Sequence, residues 1–168
     1  MLLWAILIAV LATVAWQDFR HRAVYAWLFP LLTVLIITHA IVMDVFSLTS
    51  IITNIAIIAV QLGLLNLLMY LRTKKWLMRG ERWIGWGDIA FFGVLACCFS
   101  TVNFVVFYVI SLIIVLFGAL ATMAFGRFTV HIPLAGGQAI LLILLLLIDY
   151  GHWGTRLYDD IDVLPFIQ

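Results

Sequence analysis

The sequence predicts an all-α fold, a polytopic integral membrane bundle of about six transmembrane helices. Three observations carry this. Hydrophobic residues make up 67% of the 168 positions and charged residues only 10%, where a soluble domain carries about 25% charged. Mean hydropathy is +1.24. Apolar runs recur along the chain at lengths near the roughly 20 residues needed to cross a bilayer. Finally, the basic residues segregate to alternate loops, as the positive-inside rule requires of a membrane protein.

The first span runs from Leu2 to Gln17. It has no basic residue before its apolar run, and the charges follow it instead. It is therefore read as a retained helix and not as a cleaved signal peptide. The second runs from Ala23 to Met43. The third, Ile51 to Leu71, holds Asn54, Gln61 and Asn66, polar groups expected to hydrogen-bond to neighbouring helices. The fourth, Asp88 to Phe99, is short. Its adjacent Cys97 and Cys98 read as packing residues. The fifth spans Val102 to Ala124, with Ser100 to Asn103 as the expected turn before it; one long tilted helix is the alternative. The sixth runs from Pro133 to Tyr150. Residues 1–150 thus form one six-helix membrane domain, and 151–168 a short polar tail.

Six spans place the first, third and fifth loops on one side. Arg20, Arg22, Arg72, Lys74, Lys75, Arg79, Arg82 and Arg127 lie there, eight of the nine Lys and Arg residues, with Arg156 alone opposite. That side is expected to be cytoplasmic, which puts both termini outside. A net charge of +1 provides no field for nucleic acid. The lipid bilayer is the partner that composition implies.

Three acidic residues remain on the cytoplasmic side. Glu81 sits between Arg79 and Arg82, as a solvated partner would. Asp18 ends the first span, in AWQDFRHR, and Asp88 opens the fourth, in GWGDIAFF. One span enters that face and the other leaves it, so both aspartates lie at nearly the same depth. Gly85 and Gly87 give the approach to Asp88 freedom for positive φ or close backbone contact, and for irregular backbone lining a cavity. The ordinary readings are an N-cap for Asp88 and pairing with Arg20 or Arg22 for Asp18. The sharper reading takes the two together. Neighbouring carboxylates cannot both ionise cheaply, so they share a proton. One can then act as base toward water and the other as acid toward a carbonyl oxygen. Water is the nucleophile, so no metal or organic cofactor is expected. His21 and His131 read as loop histidines. His39 and His152 lie toward the outer side, too irregularly spaced among the acidic residues there for a metal site.

Asp18 ending one span and Gly85-Trp86-Gly87-Asp88 opening another resemble the type IV prepilin peptidases, membrane aspartic proteases of the Gly-x-Gly-Asp class. The similarity extends from about Leu2 to Leu147. It implies an aspartic endopeptidase of a bacterial or archaeal cytoplasmic membrane. Such an enzyme removes basic leader peptides from pilin-like or pseudopilin precursors, in type IV pilus assembly or protein secretion, with Asp18 and Asp88 catalytic. In HIPLAGGQAI, Pro133, Gly136 and Gly137 resemble the family's Pro-Gly-rich entry to its last helix and would shape the site. The chain departs from the pattern at Ala90, where a lysine is common, and at Val24-Tyr25, where a proline often stands. With Asp18 reached within one helix and no zinc-spaced cysteines, the chain resembles the short peptidase-only members, without the methyltransferase region that uses S-adenosylmethionine. The rival reading is a non-catalytic membrane scaffold or small carrier. Intramembrane acids also mark ion routes, but a carrier wants them near the midplane and here they end spans.

Overall fold

The computed structural model describes residues 2–74, 85–124, 134–148 and 155–159, and these are helical throughout apart from short connections. Six α-helices follow in chain order: α1 (Leu2–His21), α2 (Leu28–Val42), α3 (Leu48–Thr73), α4 (Trp86–Ala96), α5 (Thr101–Ala124) and α6 (Leu134–Ile148). A short 3-10 turn, Thr155–Tyr158, follows. Pro133, Glu81 and Trp83, the basic residues Lys75, Arg79, Arg82 and Arg127, His131, His152, and all of the tail but 155–159 lie outside the described residues.

Helix α1 buries Trp4, Leu7, Leu11, Val14, Ala15 and Asp18. This is one stripe at three- and four-residue spacing, and its last member is a carboxylate. The helix closes at Arg22, which takes a left-handed φ of 52° while its N–H donates to the Asp18 carbonyl at 3.0 Å. The Gln17 side chain then accepts from the Tyr25 amide at 3.1 Å, which turns the chain back into α2. Pro30 falls in the first turn of α2, where a missing N–H costs no helical bond. Helix α3 starts from Ser47, whose hydroxyl accepts from the Ser50 amide, and stops at Lys74, again left-handed at φ 56°.

Helix α4 is the shortest and the most enclosed, burying Phe91, Phe92, Val94, Leu95 and Ala96. It packs against α2, α3 and α6, while α1 lies along α6 and α3 and α6 flank α5. The chain breaks after Ala96, and Phe104 N–H returns to the Ser100 carbonyl as α5 begins. The single long helix is thus excluded, and the turn falls slightly earlier than expected, because Asn54 of α3 donates to the carbonyls of both Ala96 and Phe99 at 3.0 Å. That buried amide satisfies the end of α4. Gln61, further along α3, lies beside Tyr108 of α5.

Among the described residues, three helices are long and apolar enough to cross a membrane: α1, most of α3 and most of α5. The other three, α2, α4 and α6, are apolar but have only 15, 11 and 15 residues. The expected six spans therefore divide into long and short ones. Leucine-rich surfaces of α3 and α5 stay exposed, as a lipid-facing surface does.

Candidate active site

The amide end of α6 is where the site forms. The first four N–H groups of any helix lack an intrahelical partner, and they attract negative charge. Two of these amides meet carboxylates from other helices. Gly136 N–H donates to Asp18 Oδ2, and Ala135 N–H donates to Asp88 Oδ1 at 3.1 Å. Successive amide nitrogens are at most about 4 Å apart along the chain, so the two acceptor oxygens lie within about 10 Å. Residues 70 positions apart in sequence are thereby brought to one helix end.

Each aspartate arrives there for a local reason. Asp18 continues the buried stripe of α1, which faces α6 along its length, and it is 8% exposed. Asp88 is the third residue of α4, not the residue preceding it, so the simple N-cap reading is corrected. The cap position belongs to Gly85. Asp88 reaches back to it, its Oδ2 accepting from Gly85 N–H at 3.2 Å. Its second oxygen remains for α6. Asp88 thus stitches the starts of two helices together, half-buried between them. Arg20 does not take up Asp18; its guanidinium lies 5.6 Å from the Trp16 ring centroid. Arg22 stays close enough to act on Asp18 by charge.

The four glycines expected to shape the site separate into two kinds. A Cβ on Gly136 would fall 3.0 Å from both Cβ and Oδ2 of Asp18 and 3.2 Å from Phe19. A side chain here would push the carboxylate back from this amide by a few tenths of an ångström. Gly85 is similar, since a Cβ there would fall 3.2 Å from Asp88 Oδ2. Its φ of −73° and ψ of 146° are ordinary extended values, so the close approach requires the glycine and positive φ is not used. Gly87, by contrast, is already helical and faces the Phe29 ring at 3.7 Å, an ordinary contact. The irregular entry ends at Gly85. Gly137 lies against α5, where a Cβ would fall 2.6 Å from Val115, so its part is helix packing. Ala90, in the position of the usual lysine, is partly buried against the core.

Sequence reading did not find Ala135, whose backbone amide holds Asp88, nor Phe19 and Phe29, which wall the carboxylates' surroundings. The signal for Ala135 was the small-residue run that opens α6; amides carry no sequence identity of their own.

Two carboxylates on neighbouring helix-end amides can hold one proton between them and exchange it with a water or a peptide carbonyl. The model of the type IV leader peptidase family matches residues 5–120, a stretch containing both aspartates. No curated protein and no solved structure matches the chain.

Proposed function

Since this chain belongs to the type IV leader peptidase family, we propose that it is a membrane-embedded aspartic endopeptidase with Asp18 and Asp88 as its catalytic pair. The observation that carries the reading is the convergence of the two carboxylates on the Ala135 and Gly136 amides. In the resting pair one proton is shared. The ionised carboxylate takes a proton from water as the oxygen attacks the scissile carbonyl. The protonated carboxyl gives its proton to the carbonyl oxygen, which yields a tetrahedral diol. On collapse the protonated carboxyl gives its proton to the leaving nitrogen as the C–N bond breaks, the other carboxylate takes a proton from one diol hydroxyl as the product C=O forms, and the pair again holds one proton. The α6 amides hold the two groups in place through both steps, which is the positioning such chemistry needs.

The substrate is read as the N-terminal segment of a pilin-like or pseudopilin precursor, its basic leader cut at the cytoplasmic face and its apolar stem in the bilayer. The segregation of basic residues to the loops around Asp18 supports that orientation, with both termini outside, in a bacterial or archaeal cytoplasmic membrane. Residues 1–150 would be the peptidase domain and 151–168 its polar tail. Gly85 and Gly136 would shape the site by letting backbone meet carboxylate.

The test is cleavage of a co-expressed pilin-like precursor by wild type, Asp18→Asn and Asp88→Asn, with protein levels checked. The expected result is a cut precursor with wild type and an uncut one with both variants. If all three behave alike, the carboxylates serve only as caps for α6, and the chain is a scaffold or carrier.

A further inference from the structure

The depth of the two carboxylates can be read from which residues face each other across the helices. The Phe92 ring of α4 meets the Tyr108 ring of α5 edge-on, centroids 5.2 Å apart, and Asn54 of α3 donates to the Ala96 and Phe99 carbonyls, eight and eleven residues outward of Asp88. Asp88 lies one helical turn further inward than Phe92. It is therefore level with about residue 112 on α5 and about residue 65 on α3. The contacts of α6, Gln138 with the Ser111 hydroxyl at 3.1 Å and Gly137 against Val115, set the level on α5 between about 112 and 116. Beyond it α5 runs to Ala124 and α3 to Thr73, about 12 to 18 Å and about 12 Å more helix respectively. On this side α1 ends one turn past Asp18, α2 starts beside Asp88, and α4 and α6 start at the carboxylates themselves.

The surfaces differ accordingly. At the depth of the pair, the α1, α2 and α4 side presents Trp16, Trp27 and Trp86, each more than 60% exposed, with Arg20 and Arg22 also exposed. Tryptophan and arginine mark a membrane–water interface. At and past the same depth, α3 and α5 still present Leu67, Leu68, Leu71, Leu116, Phe117 and Leu120, each at least half exposed. Bare leucine and phenylalanine at that exposure mark hydrocarbon. Length adds to this in part: α3 and α5 extend about 39 and 36 Å and α2 and α4 about 22 and 16 Å, against a hydrocarbon core of roughly 30 Å, while α1, at about 30 Å, joins the low side by where its inner end stops and not by its length.

We infer that the protein binds the bilayer as a step, with full-thickness lipid against α3 and α5 and a thinned cytoplasmic leaflet against α1, α2 and α4. Thinning is one way a bilayer accommodates a short hydrophobic span. The carboxylate pair then lies at the foot of the step, where headgroups and water reach it while an apolar wall rises beside it. The occupant of that wall is lipid hydrocarbon. This inference stands on helix length and exposure and does not depend on catalysis.

The experiment first replaces Cys97 and Cys98 by alanine, since both are free thiols, and then places a nitroxide label on one introduced cysteine at a time, Leu68→Cys and Phe117→Cys on the wall and Tyr25→Cys and Trp27→Cys on the low side, in phosphatidylcholine vesicles. Collision with oxygen reports hydrocarbon and collision with a water-soluble nickel chelate reports water. The wall labels are expected to favour oxygen several-fold, and the low-side labels to reverse that ratio despite their similar height along the bundle. Wall labels that favour nickel would mean that α3 and α5 project into water, and the step is wrong. Low-side labels that favour oxygen would mean a flat bilayer with the pair sunk in hydrocarbon, and the step is again wrong. Leu71→Cys and Leu120→Cys repeat the wall measurement should either first choice fail to fold.

Discussion

The two ends of the bundle use one device for different purposes. At the end where α4 gives way to α5, side chains meet exposed backbone with neutral groups. Asn54 donates to two carbonyls at the close of α4. Asn103 donates to the carbonyls of Leu157 and Asp159, Ser100 N–H bonds to Leu157, and the Tyr158 hydroxyl bonds to the Cys97 carbonyl at 3.3 Å. Loss of water around Tyr158 pushes its phenol well above the ordinary range, so it stays a donor. At the opposite end the groups that meet backbone are two aspartates on the start of α6. A neutral amide there would satisfy the same N–H. A carboxylate also exchanges a proton. The comparison teaches that a helix end needing polar partners is a ready place to install reactive ones, because the scaffold already holds them in position.

Replacing either aspartate should give the largest effect. Asp18→Asn and Asp88→Asn should each lower precursor cleavage by about 10³-fold or more, the scale of losing acid–base catalysis, read by mobility shift on gels. The two should part in stability. Asp18 uses one oxygen on an amide and Asn can supply that. Asp88 uses both, so Asn must turn an NH2 group toward one donor. Asp88→Asn should therefore be the less stable by about 1–2 kcal/mol, measured by thermal unfolding in detergent.

Gly136→Ala comes next. Its Cβ would fall 3.0 Å from Asp18, which must then give by a few tenths of an ångström, less than the 1 Å misplacement that costs about 10²-fold, so the expected loss is about 10-fold. Cleavage should drop by that order with protein level little changed. Gly87→Ala, which meets nothing closer than the Phe29 ring at 3.7 Å, should leave both near wild type. Equal losses from the two would erase the distinction between glycines that admit a carboxylate and those that do not.

Asn54→Ala acts at the other end. It leaves two buried carbonyls without their donor and should cost about 1–2 kcal/mol. Cleavage per folded molecule should hold. A fall in specific activity matching Gly136→Ala would mean that the two ends are coupled and the comparison fails. The smallest effect belongs to Ser47→Ala, which removes the cap of α3 and should cost about 1 kcal/mol with no change in cleavage.

Much of this was written in the chain itself. The helical class, the alternation of spans and loops, and the segregation of basic residues follow from composition and period, because a bilayer accepts only closed hydrogen-bonded segments of set length. The place of Asp18 on the buried face was also legible, since it continues the spacing of Leu7, Leu11 and Val14. Asp88 was marked by its glycines and by the apolar run behind it. The tertiary structure decided the rest. Only packing could set Asp88 at the third position of α4 instead of before it, since a cap depends on where the preceding backbone turns. Only packing could choose Gly136 over Gly87 as the glycine against a carboxylate, because the glycines look alike until a neighbouring helix arrives. The amides of Ala135 and Gly136 are common to every residue type. What makes them partners of Asp18 and Asp88 is the crossing of α1 and α4 at the start of α6, and that crossing depends on the whole bundle.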